Sequence, residues 1–363
     1  MGRQFSLLLQ ELHGKSENGG AHHPPFGRRG GRTGGAMELR RSYREDLALV
    51  RGWAGWLAVI GLACVLAALP LVLSGYAIYV ITHLMTQALV AVGLNLLVGY
   101  TGQISLGHVG FYAMGAYAAA HGLTTLRLPL PLALAGAGLI AAAAGYLVGL
   151  PALRLTGPYL SIVTLGFGIA VHQVLTNWPA VSGGRIGLFV PRPALGPWRL
   201  DSDAEIYALV LVVGTLLVLA ASNLTRSHVG RAWIAIRESD LAAQATGVSL
   251  RQYKTLAFAV SAFYAGVAGG LAAILIGYLE PQMFTFVESV YFLAMVVVGG
   301  LGSIPGGILG GFLIGAIPQV FSAARNWLPL VFGLIIMAVM ALEPWGLYGR
   351  WLKIRRYFKT WPL

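Results

Sequence analysis

Long apolar stretches, separated by short groups of Pro, Gly and charged residues, make up most of the chain after residue 56. Most of them approach the ~20 residues that an α-helix needs to cross a bilayer. Ten segments can be delimited: Leu57–Leu73, Ala77–Val98, Ile104–His121, Leu132–Leu150, Tyr159–Thr176, Ile206–Ala221, Leu256–Gly277, Val290–Gly300, Ile308–Phe321 and Leu328–Leu342. The two shortest, Val290–Gly300 and Ile308–Phe321, are interrupted by Gly and Pro and are expected to be broken helices. The pattern predicts an all-α polytopic membrane protein with about ten transmembrane segments.

One glycine-rich interruption of this pattern occurs twice, at an offset of 200 residues. Gly99–Gly115 reads GYTGQISLGHVGFYAMG, and Gly299–Gly315 reads GGLGSIPGGILGGFLIG. The coincident pairs are Gly99/Gly299, Gly102/Gly302, Ile104/Ile304, Gly107/Gly307, Gly110/Gly310, Gly115/Gly315 and Ala116/Ala316. Glycines let a backbone unwind or let two helices approach closely. Repeated breaks of this kind are typical of transporters built from two related halves. With ten alternating spans, both breaks begin at one membrane face, which makes the predicted repeat parallel.

Residues at these breaks are the candidates for a translocation path. From the breaks themselves we select Gly99, Gly102, Gln103, Ser105, Gly107, His108, Gly299, Gly302 and Gly307. Three polar residues on neighbouring apolar segments are added, namely Asn95, Thr164 and Asn177. Hydrogen bonding between helices is an equally good interpretation for each polar residue taken alone. His108 is expected to pack or hydrogen-bond within the unwound region.

Composition and charge agree with a membrane protein and orient it. The chain is 57% hydrophobic and 10% charged, whereas soluble domains carry about 25% charged residues. In a ten-span arrangement, twenty of the 25 basic residues fall on one side, in the N-terminal segment, Arg154, Arg226–Lys254 and Arg350–Lys359. The positive-inside rule places that side, and both termini, in the cytoplasm. The net charge of +12 therefore reflects topology, and no nucleic-acid partner is predicted.

The chain divides into four parts by composition. Residues 1–36, rich in Gly, His and Arg, are predicted to be a disordered extension, and Met37 resembles a natural start. A basic cytoplasmic segment, 37–55, is expected to precede the transmembrane domain, 56–349, and a basic cytoplasmic tail, 350–363, to follow it. Cys64 is the only cysteine, so disulfides and cysteine metal clusters within one chain are excluded. No cofactor, metal site or catalytic residue is predicted.

The cytoplasmic loop 226–254 carries an amphipathic pattern. A single helix, Arg231–Gly247, is predicted, with Ser227 or Thr225 as a cap at its start and Gly247 at its C′ position. The apolar positions are Trp233, Ile234, Ile236 and Leu241, opposite Arg237, Glu238 and Asp240, and the small positions are Ala242, Ala243 and Ala245. Such a helix can be an interfacial element that closes a loop. It can equally transmit a rigid-body movement from a soluble motor to the membrane spans.

Several of these segments together resemble a known family. GYTGQISLGHVGFYAMGAY, NWPAVSGGRIG, GRAWIAIRESDLAAQATGVSLRQYKTLAFAVSAFYAGVAGGL and VVVGGLGSIPGG are similar, in order and spacing over about residues 45–350, to the LivM-type permease subunit of branched-chain amino-acid ABC importers. The importer signature E-A-A-x-x-x-G corresponds here to Leu241, Ala242, Ala243 and Gly247, with Leu at the acidic position. The resemblance implies that this loop, with Arg231, Arg237, Glu238 and Asp240, docks into a cleft of an ATPase subunit. The small-residue surface that includes Ala243 is expected to face the cytoplasm and to sit in that cleft.

The resemblance also implies an assembly and a mechanism. We expect a type II importer-like permease in the bacterial inner membrane, paired with a LivH-type second permease, surrounded by membrane lipid. Two ABC ATPase subunits and a periplasmic substrate-binding protein complete the expected complex. ATP hydrolysis belongs to the separate subunits, and this chain is not an enzyme. Leucine, isoleucine and valine are the implied solutes, and alternating access about the glycine breaks is the implied mechanism.

Two alternatives stay open at this point. Relatives that share these motifs carry urea, short amides or other small carboxylates, and the permease sequence alone does not name the solute. A stand-alone ion-coupled carrier or channel is the alternative from another class. Such carriers usually need an acidic residue within a span, whereas Glu280 and Glu288 are expected to flank an external turn. This placement favours ATP-driven import.

Overall fold

The computed structural model describes residues 65–153, 155, 157–195, 198–320, 328–342 and 346–360. The predicted segments 1–36 and 37–55, Cys64 and the first half of Leu57–Leu73 lie outside the described residues. Residues 65–72 are helical. The helices that follow are α1 (Gly75–Asn95), α2 (His108–Thr124), α3 (Leu130–Gly149), α4 (Pro158–Asn177), α5 (Pro179–Ser182), α6 (Asp203–Arg226), α7 (His228–Glu238), α8 (Asp240–Ala245), α9 (Leu250–Ile276), α10 (Phe286–Gly299), α11 (Ile304–Val320), α12 (Leu328–Leu342) and α13 (Gly346–Thr360).

Short irregular elements join these helices. One π-helical turn, Leu96–Tyr100, continues α1, and three 3₁₀ turns occupy Pro151–Leu153, Gly184–Ile186 and Pro281–Met283. The strands are β1 (Leu188–Phe189), β2 (Ala194–Leu195), β3 (Trp198–Arg199) and β4 (Tyr278–Leu279). β1 pairs with β4 and β2 with β3, each antiparallel, with Leu188 opposite Leu279 and Ala194 opposite Arg199.

The predicted all-α polytopic fold is confirmed. Within the described residues, six helical stretches are long and apolar enough to cross a membrane: Gly75–Tyr100, Leu130–Leu153, Pro158–Asn177, Asp203–Arg226, Leu250–Ile276 and Pro281–Gly299. Within the described residues, the apolar helix Ile304–Gln319 is shorter than these six. The third predicted span, Ile104–His121, differs at its start, because residues 102–107 are not helical and α2 begins only at His108.

Helix α9 forms the centre of the bundle. It packs against α1, α2 and α3, and most of its length is buried. Small residues such as Ala262, Ala265, Gly266 and Gly269 line its buried surface, which lets neighbouring helix axes approach closely. Polar groups along it are paired, since Tyr264 donates its hydroxyl to Leu217 O at 2.7 Å.

The loop between α6 and α9 defines one end of the bundle, here called the loop end. α1 and α10 both run toward this end, because their C-terminal residues meet there beside α7. The β1–β4 pair joins the connection after α5 to the connection after α9 and lies at the opposite end.

Helix α2 begins in the interior of the bundle. Its second residue, Val109, donates its backbone N–H to Ser289 Oγ of α10 at 3.0 Å. Ser289 lies ten residues before the end of α10 at Gly299, which is ~15 Å along a helix that rises ~1.5 Å per residue. The chain therefore returns from the loop end to mid-bundle in non-helical form before α2 starts.

Candidate functional site: two helix breaks beneath a docked loop

The first break, residues 102–107, lies between the helical residues that end with the π turn and Thr101 and the start of α2. Side chains from other helices satisfy its backbone donors: Leu106 N donates to Thr164 Oγ1 at 3.0 Å, and Val109 N donates to Ser289 Oγ. Thr164 in turn donates to Ser161 O at 3.0 Å. In an apolar surrounding, backbone groups left by an interrupted helix need such internal partners. Thr164 thus fastens the break to α4.

The second break, Gly300–Ser303, lies between α10 and α11 and is held by one side chain of α1. Asn95 Nδ2 donates to Ser303 O at 2.7 Å and to Gly300 O at 3.3 Å, and Gly302 N donates to Asn95 Oδ1 at 2.9 Å. Asn95 is 1% exposed. One buried amide therefore ties the end of α1 to the turn that follows α10.

The two breaks touch each other at the loop end. A Cβ atom on Gly99 would lie 2.3 Å from Gly302 N, so no larger residue fits there. Gly102 and Gly302, which coincide in the sequence repeat, have φ angles of +72° and +73°, a region that L-residues with a Cβ rarely adopt. The repeated motif thus has a matching turn in both copies, at one end of the bundle, as the parallel repeat predicts.

The other glycine candidates pack closely against their neighbours, and His108 makes a hydrogen bond. Gly107 packs against Thr164, Gly299 against Gly306, and Gly307 beside Asn95. His108 is fully buried and donates from Nε2 to Ser261 Oγ at 3.3 Å, because Ser261 uses its own hydrogen to bind Gly93 O at 2.7 Å. This is the hydrogen-bonding role expected of His108.

Gln103 and Ser105 differ from their neighbours because their buried side-chain polar atoms make no hydrogen bond within the described residues. Asn177 is not part of the site. It is exposed at the C-terminal end of α4 and donates to Gln173 O at 2.9 Å. The structure brings Asn95 and Thr164 to the breaks and leaves Asn177 at the opposite end.

The loop contains two helices where the sequence predicts one. α7 ends at Glu238, and α8 begins at Asp240. Between them, Ser239 has φ −165° and ψ 121°, and its Oγ accepts from Ala242 N at 3.3 Å. A serine that caps the following helix ends the preceding one, because its extended backbone cannot continue the helical ladder. The expected caps are present: Ser227 Oγ accepts from Val229 N, and Gly247 ends α8 with φ +84°.

Buried side chains hold both loop helices against the bundle. Trp233 of α7 is fully buried, and its Nε1 donates to Tyr253 O of α9 at 2.9 Å. Lys254 of α9, 6% exposed, pairs with Asp240 of α8 at 2.6 Å. The loop helices are therefore anchored at two points on the base of α9, which suits a rigid-body connection.

The outer surface of α8 differs from the predicted one. Leu241 is 80% exposed and Ala242 is exposed, whereas Ala243 is only 1% exposed. The expectation that Ala243 lies on the outer surface is therefore wrong, because the break at Ser239 rotates α8 and turns Ala243 inward. Arg231 and Glu238 are exposed on α7.

One contact joins the loop to both breaks. Arg237 Nη1 donates to Gly99 O at 2.7 Å, and a Cβ on Gly302 would lie 2.8 Å from the same nitrogen. The guanidinium of the loop thus lies over the point where the two breaks meet. A displacement of α7 would act directly on the end of α1 and on the turn after α10.

Sequence reasoning missed the hydroxyl groups that hold the site. Ser261, Ser289 and Ser239 bind Gly93 O, Val109 N and Ala242 N. Ser261 and Ser289 could have been noticed as hydroxyls in otherwise apolar helices, since buried hydroxyls need partners. Their partners are far apart in sequence and could not have been named.

Comparison with known proteins identifies the family of this chain. The family model described as "Branched-chain amino acid transport system / permease component" matches residues 76–342. The chain belongs to this permease family. Its members include the high-affinity branched-chain amino acid transport system permease protein LivM of Escherichia coli K12, which is 38% identical over 317 residues, covering 80% of this chain and 74% of that protein.

More distant relatives in the family are also similar. The permease protein LivH of Salmonella typhimurium is 27% identical over 283 residues, covering 73% of this chain and 92% of LivH. The autoinducer 2 import system permease protein LsrC of Enterobacter sp. 638 is 28% identical over 229 residues, covering 59% of this chain and 63% of LsrC. No solved structure matches the chain. Like these relatives, the chain is a transport subunit and not an enzyme.

Replacing Asn95 with Leu is expected to destabilise this permease. The change removes three hydrogen bonds and leaves buried partners unpaired, at a cost of ~1–3 kcal/mol for each group. Thermal unfolding of the detergent-solubilised protein measures the effect. Asn177→Leu is the matched control, because exposed substitutions usually change stability by less than ~0.5 kcal/mol. Equal unfolding temperatures for the two variants would contradict the role assigned to Asn95.

Proposed function

We propose that this chain is a transmembrane subunit of an ATP-driven importer of branched-chain amino acids in a bacterial inner membrane. Its similarity to LivM supports the solute class, and its similarity to LivH supports pairing with a second, related permease. In the proposed complex, two ABC ATPase subunits bind the loop end, and a periplasmic binding protein delivers the solute at the opposite end. The single observation that carries the proposal is the contact of Arg237 with Gly99 at the meeting point of the two breaks.

The outer surface of α8 is the proposed ATPase contact. Leu241 and Ala242 present apolar surface to solvent on a short helix whose position is fixed by the Lys254–Asp240 pair. An exposed leucine on a rigid support is the kind of side chain that fills a partner's pocket. Ala243, turned inward, supports this helix from behind.

The proposed mechanism is alternating access about the breaks. ATP-driven closure of the ATPase pair moves α8 and α7 as one body, and Arg237 transfers the movement to Gly99 and to the Gly300–Ser303 turn. Both α1 and α10 end in non-helical backbone at this place, so their axes can tilt without breaking an α-helical ladder. Gln103 and Ser105, buried and unpaired, supply polar groups along the route that opens.

The loop end is proposed to be cytoplasmic, because basic residues of α7 and of the start of α9 lie there, and α13, which is rich in Lys and Arg, begins beside Gly300. A topology reporter fused after Lys254 should report the cytoplasm, and one inserted at Pro193 should report the periplasm. The opposite pair of signals would reverse the orientation and remove the ATPase site from this end.

Replacing Leu241 with Arg is expected to release the ATPase subunits. A buried, unpaired charge at the interface costs several kcal/mol, enough for a loss of ~100-fold or more in affinity. Retention of ATPase subunits on the tagged permease gives the measurement. The isolated permease should unfold at the wild-type temperature, because Leu241 is solvent-exposed. Ile186→Arg, at an exposed apolar position of the opposite end, should keep the ATPases bound. Wild-type retention by Leu241→Arg would exclude α8 as the contact.

Replacing Arg237 with Ala is expected to uncouple hydrolysis from transport. The variant keeps the outer surface of α8 and loses a charge-assisted hydrogen bond of ~1.5–3 kcal/mol to Gly99. We expect bound ATPases that still hydrolyse ATP while leucine uptake into proteoliposomes falls about tenfold. Arg231→Ala is the matched control, since Arg231 bonds to Arg226 O within the loop. Parallel losses of uptake and hydrolysis would contradict a coupling role.

A further inference from the structure

Helix α13, the last helix that the structure describes, begins at the loop end. Its first residue, Gly346, has φ +69°, and a Cβ on it would lie 2.5 Å from Gly300 Cα in the second break. The apolar helix α12 ends at Leu342, and the four residues from there to Gly346 can span at most about 14 Å. α13 therefore starts near the end of an apolar helix and beside the end of α10, where the surface of the surrounding membrane is expected.

The charge of α13 has one sign. Its 15 residues include five basic residues and no acidic one; the basic residues are Arg350, Lys353, Arg355, Arg356 and Lys359. Lys353 and Arg355 are exposed, and neither forms an ion pair with another described residue. The helix thus presents positive charge that the described part of the chain does not neutralise.

An exposed apolar stripe runs along the same helix. Leu347, Trp351 and Ile354 are 37%, 59% and 42% exposed, and their spacing of four and three residues places them on one helix face. With about 3.6 residues per turn, Lys353 and Arg355 lie on opposite edges of this face. An apolar stripe that contains Trp and has basic edges is typical of a helix that lies in the membrane interface.

Charge favours a lipid surface over a protein as the partner of this stripe. The loop helices α7 and α8, which form the proposed ATPase contact, carry Glu238 and Asp240 beside their arginines. α13 carries basic residues alone, and a leaflet with anionic lipids offers negative headgroups along its whole length. Lys and Arg can also bury their aliphatic stems beside the apolar stripe while their charged ends reach the headgroups.

We infer that α13 lies on the membrane surface at the loop end and binds anionic phospholipid headgroups. Leu347, Trp351 and Ile354 enter the acyl boundary, while Lys353 and Arg355 contact the lipid phosphates. Because the first residue of α13 packs against Gly300, the helix that meets the lipid also touches the turn that Asn95 holds. The inference depends neither on the solute nor on ATP-driven import.

Contact with the membrane is tested on the full-length permease with Cys64→Ser and Ile354→Cys, spin-labelled at position 354, in lipid nanodiscs. In a mixture of phosphatidylcholine and phosphatidylglycerol, the label should collide with dissolved oxygen more often than with a water-soluble nickel chelate. Leu241→Cys is the matched control, because Leu241 is exposed on α8, and there the chelate should collide more often. Equal accessibility to the chelate at both positions overturns the inference.

The headgroup contact is tested by Lys353→Gln combined with Arg355→Gln in the chain labelled at position 354. Each basic residue near an anionic surface is worth roughly fivefold in binding. The ratio of membrane-bound to lifted α13, measured from the two components of the spin-label spectrum, should therefore fall ~25-fold in the phosphatidylglycerol mixture. The same ratio for the unsubstituted helix in phosphatidylcholine alone, or an unchanged ratio in the double variant, overturns anionic lipid as the partner.

Arg127→Gln combined with Arg192→Gln is the matched control for charge, because both residues are exposed at the opposite end of the bundle. It should leave the ratio unchanged, and a fall as large as that of the α13 variant overturns a local headgroup contact.

The ATPase subunits of the proposed complex are then added to separate lipid from a protein partner. Their binding should not change the accessibility of position 354. Protection that appears only with bound ATPases, and equally in phosphatidylcholine alone, assigns the stripe to the ATPase and overturns the inference.

Discussion

The need to satisfy backbone hydrogen-bonding groups within an apolar bundle governs this structure. Each helix break frees N–H and C=O groups, and these need partners within the protein wherever the surroundings are apolar. Asn95 answers the need at Gly300–Ser303, and Thr164 and Ser289 answer it at the start of α2. These few side chains allow irregular backbone to exist inside a membrane protein. The contact between the two breaks and the hydrogen bond from Arg237 to Gly99 O, both at the loop end, depend on these side chains.

A helix break whose backbone groups are hydrogen-bonded to a side chain can also move together with that side chain and keep its hydrogen bonds. The amide of Asn95 binds three backbone groups of one turn, so α1 and that turn travel together. Thr164 and Ser289 hold α2 from two other helices. The bundle is thereby divided into parts that are internally bonded and joined by non-helical backbone. This is the form that a rocking mechanism requires, because rigid parts transmit a push and flexible joints absorb the change in angle.

The sequence predicted what depends on local pattern. Ser227 caps the start of α7 and Gly247 follows the end of α8, as their residue types predict. The sequence prediction was wrong where the amphipathic pattern and a helix-capping residue pointed to different structures. Ser239 both interrupts the amphipathic run and caps the next helix, and reading only the apolar period joined α7 to α8 and pointed Ala243 outward.

Contacts across long separations were beyond sequence reasoning. The offset of 200 residues predicted two equivalent turns, and the φ angles of Gly102 and Gly302 agree. Asn95 binds the second turn at Gly300, which lies 205 residues later in the sequence. This contact depends on how α1 and α10 lie side by side, and the spacing of apolar residues does not indicate that. Glu288, expected beside an external turn, is half-buried in the first turn of α10, because burial near a helix end is decided by the neighbouring helices.

The interior start of α2 has an electrical consequence. An α-helix carries roughly half a positive charge at its first turn, and here that turn lies near the centre of the bundle instead of at a water-facing surface. Positive helix ends at such a depth repel cations and protons from a membrane pore. On the proposed route, this positive helix end is expected to oppose leakage of cations and protons, while a zwitterion crosses without net charge. The transport cycle would then leave the membrane voltage unchanged.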